Sequence, residues 1–335
     1  MKLLTVTIPA YNSQDYLHNC VESLLAGGER IEIIIVNDGS VDKTGEIADS
    51  YAAKHPDIVK VVHQENGGHG EGINQGLKKA SGKYFKVVDS DDCLSGDLTL
   101  LLDTLEKCEK EGGIDLLITN YRYTHSDKIG DKSIVYANAM PENQIISWEK
   151  VGNLNVKQLF TIHATTFRTE CLRKSGKLLP KHTFYEDNYM VFLGLPYVEK
   201  LYYLNKDLYL YTIGREGQSV QHDILKSRYT HQIKSATLCF KSFNMNETSR
   251  AKKRYMKHAM FIMLGMTTLV TRLNRSAESD ADLKKMWEEC YAHDKKEARR
   301  LRFGTLIVLL NLPGAFGRSL SCFIYKTANK VVRFN

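Results

Sequence analysis

Although the 335-residue chain holds seven cysteines, no two are spaced Cys-x-x-Cys, which argues against a zinc cage or a thioredoxin-like redox pair. The cysteines, at Cys20, Cys93, Cys108, Cys171, Cys239, Cys290 and Cys322, are odd in number and scattered, as expected of a chain from a reducing compartment. No run of about 20 apolar residues occurs, so no transmembrane helix is expected. The opening Met1-Lys2-Leu3-Leu4-Thr5-Val6-Thr7-Ile8-Pro9 has too short an apolar stretch for a signal peptide and reads as a first buried strand. Internal repeats and low-complexity tracts are lacking, and 43% hydrophobic with 25% charged residues excludes disorder, collagen and coiled coil as descriptions of the whole. Acidic residues are scarce only at the far end. From Leu225 to Asn335 there are 22 lysines and arginines against 8 acids, a net of +14, while the preceding part carries −7. Such asymmetry points to a surface with a negatively charged partner or to a solvated helical face. Nucleic acid is not expected, because no binding motif accompanies the charge.

What is present is an alternation. Leu3–Ile8, Ile31–Asn37, Ile58–His63, Tyr84–Val88 and Leu116–Tyr123 are short β-branched runs that read as buried strands. Between them Tyr16–Leu25, Lys43–Lys54, Glu71–Ala80 and Asp97–Lys110 carry apolar residues at helical spacing. Alternation of this kind predicts an α/β domain, a mostly parallel sheet flanked by helices. Residues 127–144 read as a polar loop or small hairpin. Strand signals fade beyond Leu225, where Tyr255–Arg272 and Asp280–Arg302 read as helices. The expected organisation is thus a domain over 1–224 and a basic, mainly helical extension over 225–335.

Ligands of open α/β sheets bind beyond the carboxyl ends of the strands, and those ends are chemically unusual here. They carry Pro9-Ala10-Tyr11-Asn12, Asn37-Asp38-Gly39-Ser40-Val41-Asp42, Asn66-Gly67-Gly68-His69-Gly70-Glu71-Gly72 and Asp89-Ser90-Asp91-Asp92. The three aspartates repel unless a cation or hydrogen-bond donors compensate them. Hard oxygen ligands at this spacing suit Mg²⁺ or Mn²⁺ held jointly with a diphosphate, while acids at a helix-capping turn are the plainer alternative. An EF-hand is excluded, because Cys93 and Leu94 stand where an oxygen ligand and a glycine belong. The glycine-rich segment fails the dinucleotide fingerprint and lacks a Walker lysine. It remains a loop that feeds a helix N-terminus and can approach a phosphate. Glu186-Asp187, ahead of the apolar Tyr189–Leu195, is either a helix cap or a general base for an acceptor hydroxyl.

Thr7-Ile8-Pro9-Ala10-Tyr11-Asn12, Ile35-Val36-Asn37-Asp38-Gly39-Ser40-x-Asp42-x-Thr44, Asp89-Ser90-Asp91-Asp92 and Glu186-Asp187, in this order and spacing, closely resemble glycosyltransferase family 2 over about Met1 to Gln221. The Glu-Asn-Gly-Gly-His-Gly segment and Gly214–Val220 resemble a bacterial subgroup that makes surface polysaccharides. The resemblance implies a GT-A fold and an inverting transfer from a nucleotide sugar, commonly a UDP-sugar, to a glycan or lipid-linked glycan acceptor. It implies that Tyr11 stacks on the base, that Asp38 accepts from its ring N–H, and that Pro9 and Ala10 shape this pocket. Asp89 and Asp91 form the Asp-x-Asp motif that contacts ribose and holds Mn²⁺ or Mg²⁺, and Asp187 is the base. Arg215, Gln218 and Ser219 match a loop that closes over diphosphate or acceptor. One position departs from the family pattern: Ile73 stands where many relatives carry an arginine, leaving His69 or Lys83 as substitutes.

A sugar-nucleotide pyrophosphorylase would open with a glycine-rich loop after the first strand, unlike Pro9-Ala10-Tyr11-Asn12. A polyprenyl-phosphate sugar synthase and a non-catalytic transferase-like partner subunit are the remaining alternatives. The expected location is cytoplasmic. The basic extension and the apolar cluster Phe303–Phe316 lead to an expected attachment at the inner face of the membrane, with packing on the core or on a second copy of the chain as the rival.

Overall fold

The computed structural model describes residues 2–125, 132–214, 221–244, 248–303, 307–312 and 314–332. It divides into two compact units, Met1–Ile213 and Gly214–Asn335. The first unit runs β1 (Leu4–Ala10), α1 (Leu17–Leu25), β2 (Ile31–Asp38), α2 (Thr44–Lys54), β3 (Val59–Gln64), α3 (His69–Lys79), β4 (Tyr84–Val87), β5 (Cys93–Leu94) and α4 (Leu98–Lys110). Then follow β6 (Leu116–His125), β7 (Lys132–Ile134), β8 (Ile145–Ile146), β9 (Thr165–Arg168), α5 (Thr169–Arg173), α6 (Glu186–Gly194) and β10 (Leu201–Ile213).

Every residue of β1 and β2 is buried, as β-branched runs must be when helices cover both faces of a parallel sheet. The main strand order is β3-β2-β1-β4-β9-β6-β10-β5. β3, β2, β1 and β4 run parallel, whereas β9 lies antiparallel between β4 and β6. The chain thus steps outward from β1 to β2 and β3, then returns to the other side of β1 with β4. That reversal makes a topological switch point between β1 and β4, the place where open sheets bind ligands. The expected hairpin after β6 is formed by β7, with 126–131 outside the described residues.

α3 contains Gly70, Gly72 and Gly76, each costing about 1 kcal/mol of helix propensity. The sheet explains them. A Cβ at Gly72 would lie 2.9 Å from Pro9 Cβ, and one at Gly76 would overlap the Thr7 hydroxyl. Only a glycine-faced helix can approach β1 this closely.

In the second unit stand α7 (His222–Ser227), α8 (Tyr229–Lys241), α9 (Arg250–Leu273), α10 (Ala277–His293), α11 (Lys295–Phe303), α12 (Ile307–Leu310) and α13 (Gly314–Val332). The division expected after Ile224 falls inside α7. α9 buries Tyr255, Met256, Ala259, Met260, Met263, Leu264 and Thr267 on one face. The single helix expected over Asp280–Arg302 is two helices. Asp294 leaves helical backbone, with φ −144°, and its Oδ1 accepts from Glu297 N at 3.0 Å. Asp294-x-x-Glu297 thus carries a helix-start signature inside an otherwise continuous pattern. Glu297 is buried and ion-paired with Lys253, Lys257 and Arg300. The apolar stretch near the end is likewise divided in its burial. Ile307 and Leu310 are buried, Leu310 in a cluster with Leu269 and Tyr325. Phe303, Leu309, Phe316 and Phe323 are exposed, while Leu306 and Pro313 fall outside the described residues. No helix among the described residues is long and apolar enough to cross a membrane.

Candidate active site

Four loops meet at the switch point, and side chains tie them together. After β1, the Ser13 hydroxyl lies 2.7 Å from that of Ser90 after β4, and Ser13 N donates to Thr44 Oγ1 at 2.7 Å. Asp42 accepts from Thr44 N and Gln14 N. Asp38, at the end of β2, accepts from Gly67 N at 2.7 Å, Gly68 N at 2.8 Å and Gln64 Nε2 at 2.6 Å. About three of its four acceptor positions are thus occupied, and the carboxylate organises the glycine loop. Gly67 O in turn accepts from His182 N, and Asn74 exchanges two hydrogen bonds with the backbone of Leu179. Those contacts bring the Glu186-Asp187 segment to the same edge. Pro9 and Ala10 are the last two residues of β1, and Tyr11 projects beyond them, 52% exposed.

Asp89 is the centre of the cluster. Its Oδ1 lies 2.9 Å from His69 Nε2, and its Oδ2 lies 3.8 Å from His163 Nε2. Burial would raise its pKa, but the two imidazoles outweigh burial and hold it well below the usual range. Asp92 is buried and accepts from Tyr209 Oη at 2.7 Å and Thr212 N at 2.8 Å. Burial and the neighbouring Asp89 charge push its pKa well up. Beneath them the fully buried Lys86 donates to His163 O at 2.9 Å, and burial lowers its pKa to about 7 against the pull of Asp89. His163 stacks on Tyr211, with ring centroids 4.5 Å apart.

Asp187 lies in the first turn of α6. The residue at the cap position is Tyr185, held at φ 66°, a backbone conformation uncommon outside glycine. Asp187 Oδ1 accepts from Asn188 Nδ2 at 3.1 Å. Its burial and the charge of Glu186 raise its pKa to about 6, with the His163 and His69 rings pulling the other way. Glu186 is 2% exposed and meets His69 Nδ1 at 2.8 Å.

Tyr11, Asp38, Asp89, Asp91 and Asp187 therefore lie on connected loops at one edge of the sheet, and Arg215, Gln218 and Ser219 fall outside the described residues. Sequence reasoning did not single out Asp92, His163, Lys86 or Glu186 individually. Lys86 was visible as a lone charge inside an apolar strand. Ile73 is 1% exposed, so α3 presents His69 to the site rather than a side chain from that position.

Among the described residues, Asp89, Asp92 and His163 place one donor atom each within 4.8 Å of one another. Two oxygens and an imidazole nitrogen fit a divalent first-row cation. Burial is the larger cause of the upward push on Asp92, and the neighbouring Asp89 charge, which a cation would offset, adds to it.

Residues 5–156 match the model of the family "Glycosyl transferase family 2". The chain is 40% identical over 129 residues to the glycosyltransferase GlyG of Streptococcus pneumoniae, covering 38% of this chain and 42% of that protein. It is 31% identical over 227 residues to the putative glycosyltransferase EpsH of Bacillus subtilis, covering 63% and 60% respectively. The matches thus span less than two thirds of these relatives. Among solved structures, S. aureus TarS 1–349 in complex with UDP-GlcNAc superposes with TM-score 0.69 at 21% identity, over 99% of this chain and 92% of that one. A mannosyltransferase from Pyrobaculum calidifontis in complex with GDP-Man and Mn²⁺ superposes with TM-score 0.54 at 12% identity, over 98% of this chain and 86% of that one. The fold is therefore the expected GT-A type, and residues 5–156, a little under half of the chain, are similar in sequence to glycosyltransferase family 2.

Proposed function

We propose that this chain is an inverting glycosyltransferase that moves a sugar from a nucleoside diphosphate, UDP first among candidates, to an acceptor hydroxyl in cell-surface polysaccharide synthesis. The supporting observation is the Asp187 carboxyl, with a pKa near 6 and linked to Asp89 through Glu186 and His69. A base with that pKa is ionised at neutral pH yet basic enough to take the acceptor's proton. Inversion is favoured because a direct displacement needs a single basic carboxylate, and Glu186 and Asp92 are engaged by His69 and Tyr209. Tyr11 stacks on the base, Asp38 offers its remaining acceptor position to the ring N–H, and Pro9 and Ala10 floor the pocket. Asp89 and Asp91 hold Mn²⁺ or Mg²⁺, which when bound would neutralise charge developing on the leaving diphosphate. The test is a panel of nucleotide sugars with Mn²⁺, read for release of the nucleoside diphosphate. We expect turnover of one or a few donors, and no turnover of any would overturn the reading.

The same reading places the enzyme at the cytoplasmic membrane face, where a lipid-linked acceptor is found. Phe316 and Phe323, 73% and 67% exposed, stand seven residues apart and so share one face of α13, a helix with no acidic residue. Exposed aromatics on one face of such a helix suit an interfacial position, and the basic excess of 225–335 supplies attraction of roughly 1 kcal/mol per basic residue near anionic lipid. Flotation with phosphatidylserine vesicles is expected to retain the protein at low salt and release it at high salt. Phe316→Ser with Phe323→Ser should abolish retention, and unchanged flotation of that variant would remove the assignment.

A further inference from the structure

His69 is the first residue of α3, and its ring stands between two carboxylates from distant parts of the chain. Nε2 lies 2.9 Å from Asp89 Oδ1, and Nδ1 lies 2.8 Å from Glu186 Oε1. Each ring nitrogen thus faces one carboxylate, and the ring spans the gap between them. The neighbouring backbone is shaped for the bridge. Gly68 sits at φ 85°, with His182 N 3.0 Å from where a Cβ would be, and a Cβ at Gly70 would lie 2.8 Å from Glu186 Cγ. Any side chain at Gly70 would push Glu186 away from the ring.

We infer that His69 is a positioning residue that locks Asp89, on the nucleotide side, and Glu186, beside the base, at one fixed spacing. The inference rests on the proposed transferase reading for its effect on rate, and on the bridge geometry for its effect on stability. The bridge holds the donor-side carboxylate and the amino end of α6 in register, so that the proton-accepting Asp187 keeps its aim on the acceptor. Ile73 is buried, and the α3 side chain that reaches both carboxylates is His69.

A double-mutant cycle tests it in the full-length protein. His69→Ala and Glu186→Ala are each expected to lower kcat about 10- to 100-fold, the usual cost of losing an outer orienting partner, with donor KM changed much less. Because the two act as one unit, the double variant should cost no more than the worse single variant. Losses that multiply would overturn the positioning role, as would an equal loss in kcat and rise in KM. The same four proteins are compared in thermal unfolding, where coupled losses support the bridge and additive losses remove it. A wild-type protein that turns over no nucleotide sugar would sink the transferase reading, and the unfolding cycle would still decide the bridge. If an alanine variant fails to fold, His69→Gln and Glu186→Gln complete the cycle, and His69→Gln, whose amide nitrogen can replace one ring nitrogen while its oxygen cannot donate in place of the other, should fall between wild type and alanine in rate.

Discussion

Asp187→Asn is expected to lower sugar transfer about 10²- to 10⁴-fold, the usual loss for a general base, while making the protein slightly more stable at neutral pH. The two effects share one cause. Burial and the charge of Glu186 raise the folded pKa of Asp187 to about 6, above the value of about 3.9 for an unfolded aspartate. A raised carboxyl pKa means that the folded state binds the proton more tightly. The stability it contributes is full below about pH 4 and is lost as pH rises through about 6. Above that range the ionised carboxylate is a burden that asparagine removes, by about 1–2 kcal/mol once partial exposure is allowed for. Wild-type transfer should follow the opposite course, rising as pH passes 6 and levelling above. A helix-capping role predicts something else, because asparagine caps nearly as well as aspartate. Near-normal transfer by Asp187→Asn, or a rate flat between pH 5 and 7, would sink the base assignment.

The elements around this residue show how far local pattern reaches. The first four strands and helices follow from β-branched runs and helical spacing, because each is a short, uninterrupted period bounded by polar turns. β10 is different. Its Leu201–Ile213 run is broken by Asn205-Lys206-Asp207, where the pairing with β6 shifts register, so neither period persists long enough to be read. β9 has only four residues and is defined by its partners β4 and β6 rather than by its own composition. The site divides along the same line. Tyr11, Asp38, Asp89 and Asp187 belong to motifs continuous in sequence and were legible there. His163 was not, since nothing about one histidine ahead of a short strand announces that it will face Asp89 across a pleated sheet. Lys86 and Asp92 become meaningful only when burial is known, because a charge matters most where water cannot reach it. Within the second unit the apolar stretch after Phe303 read as one patch. Packing divides it, since Ile307 and Leu310 turn inward and Leu309 outward.

Asp89→Ala should remove Mn²⁺-stimulated UDP binding, with a loss of about 100-fold, or about 2.7 kcal/mol. Asp89 belongs both to the Asp-x-Asp pair with Asp91 and to the cluster with Asp92 and His163, so its loss tests either arrangement. The remaining residues separate them. Asp92 is 2% exposed, and its two oxygens accept from Tyr209 and Thr212, which gives it the character of a buttress behind Asp89. Asp91 is partly exposed on the loop, where a diphosphate-bound cation can reach it. Asp91→Ala is therefore expected to cost nearly as much as Asp89→Ala, and Asp92→Asn less than about 10-fold, in the range of an outer partner. Titration calorimetry of UDP with and without Mn²⁺ measures all three. Equal UDP affinity in the two conditions for wild type would dismiss the metal altogether. Loss of the Mn²⁺ effect in Asp92→Asn and His163→Gln, with Asp91→Ala unaffected, would transfer the ligand set to Asp89, Asp92 and His163. In that event the buried cluster, and not the loop motif, would hold the cation against the leaving group.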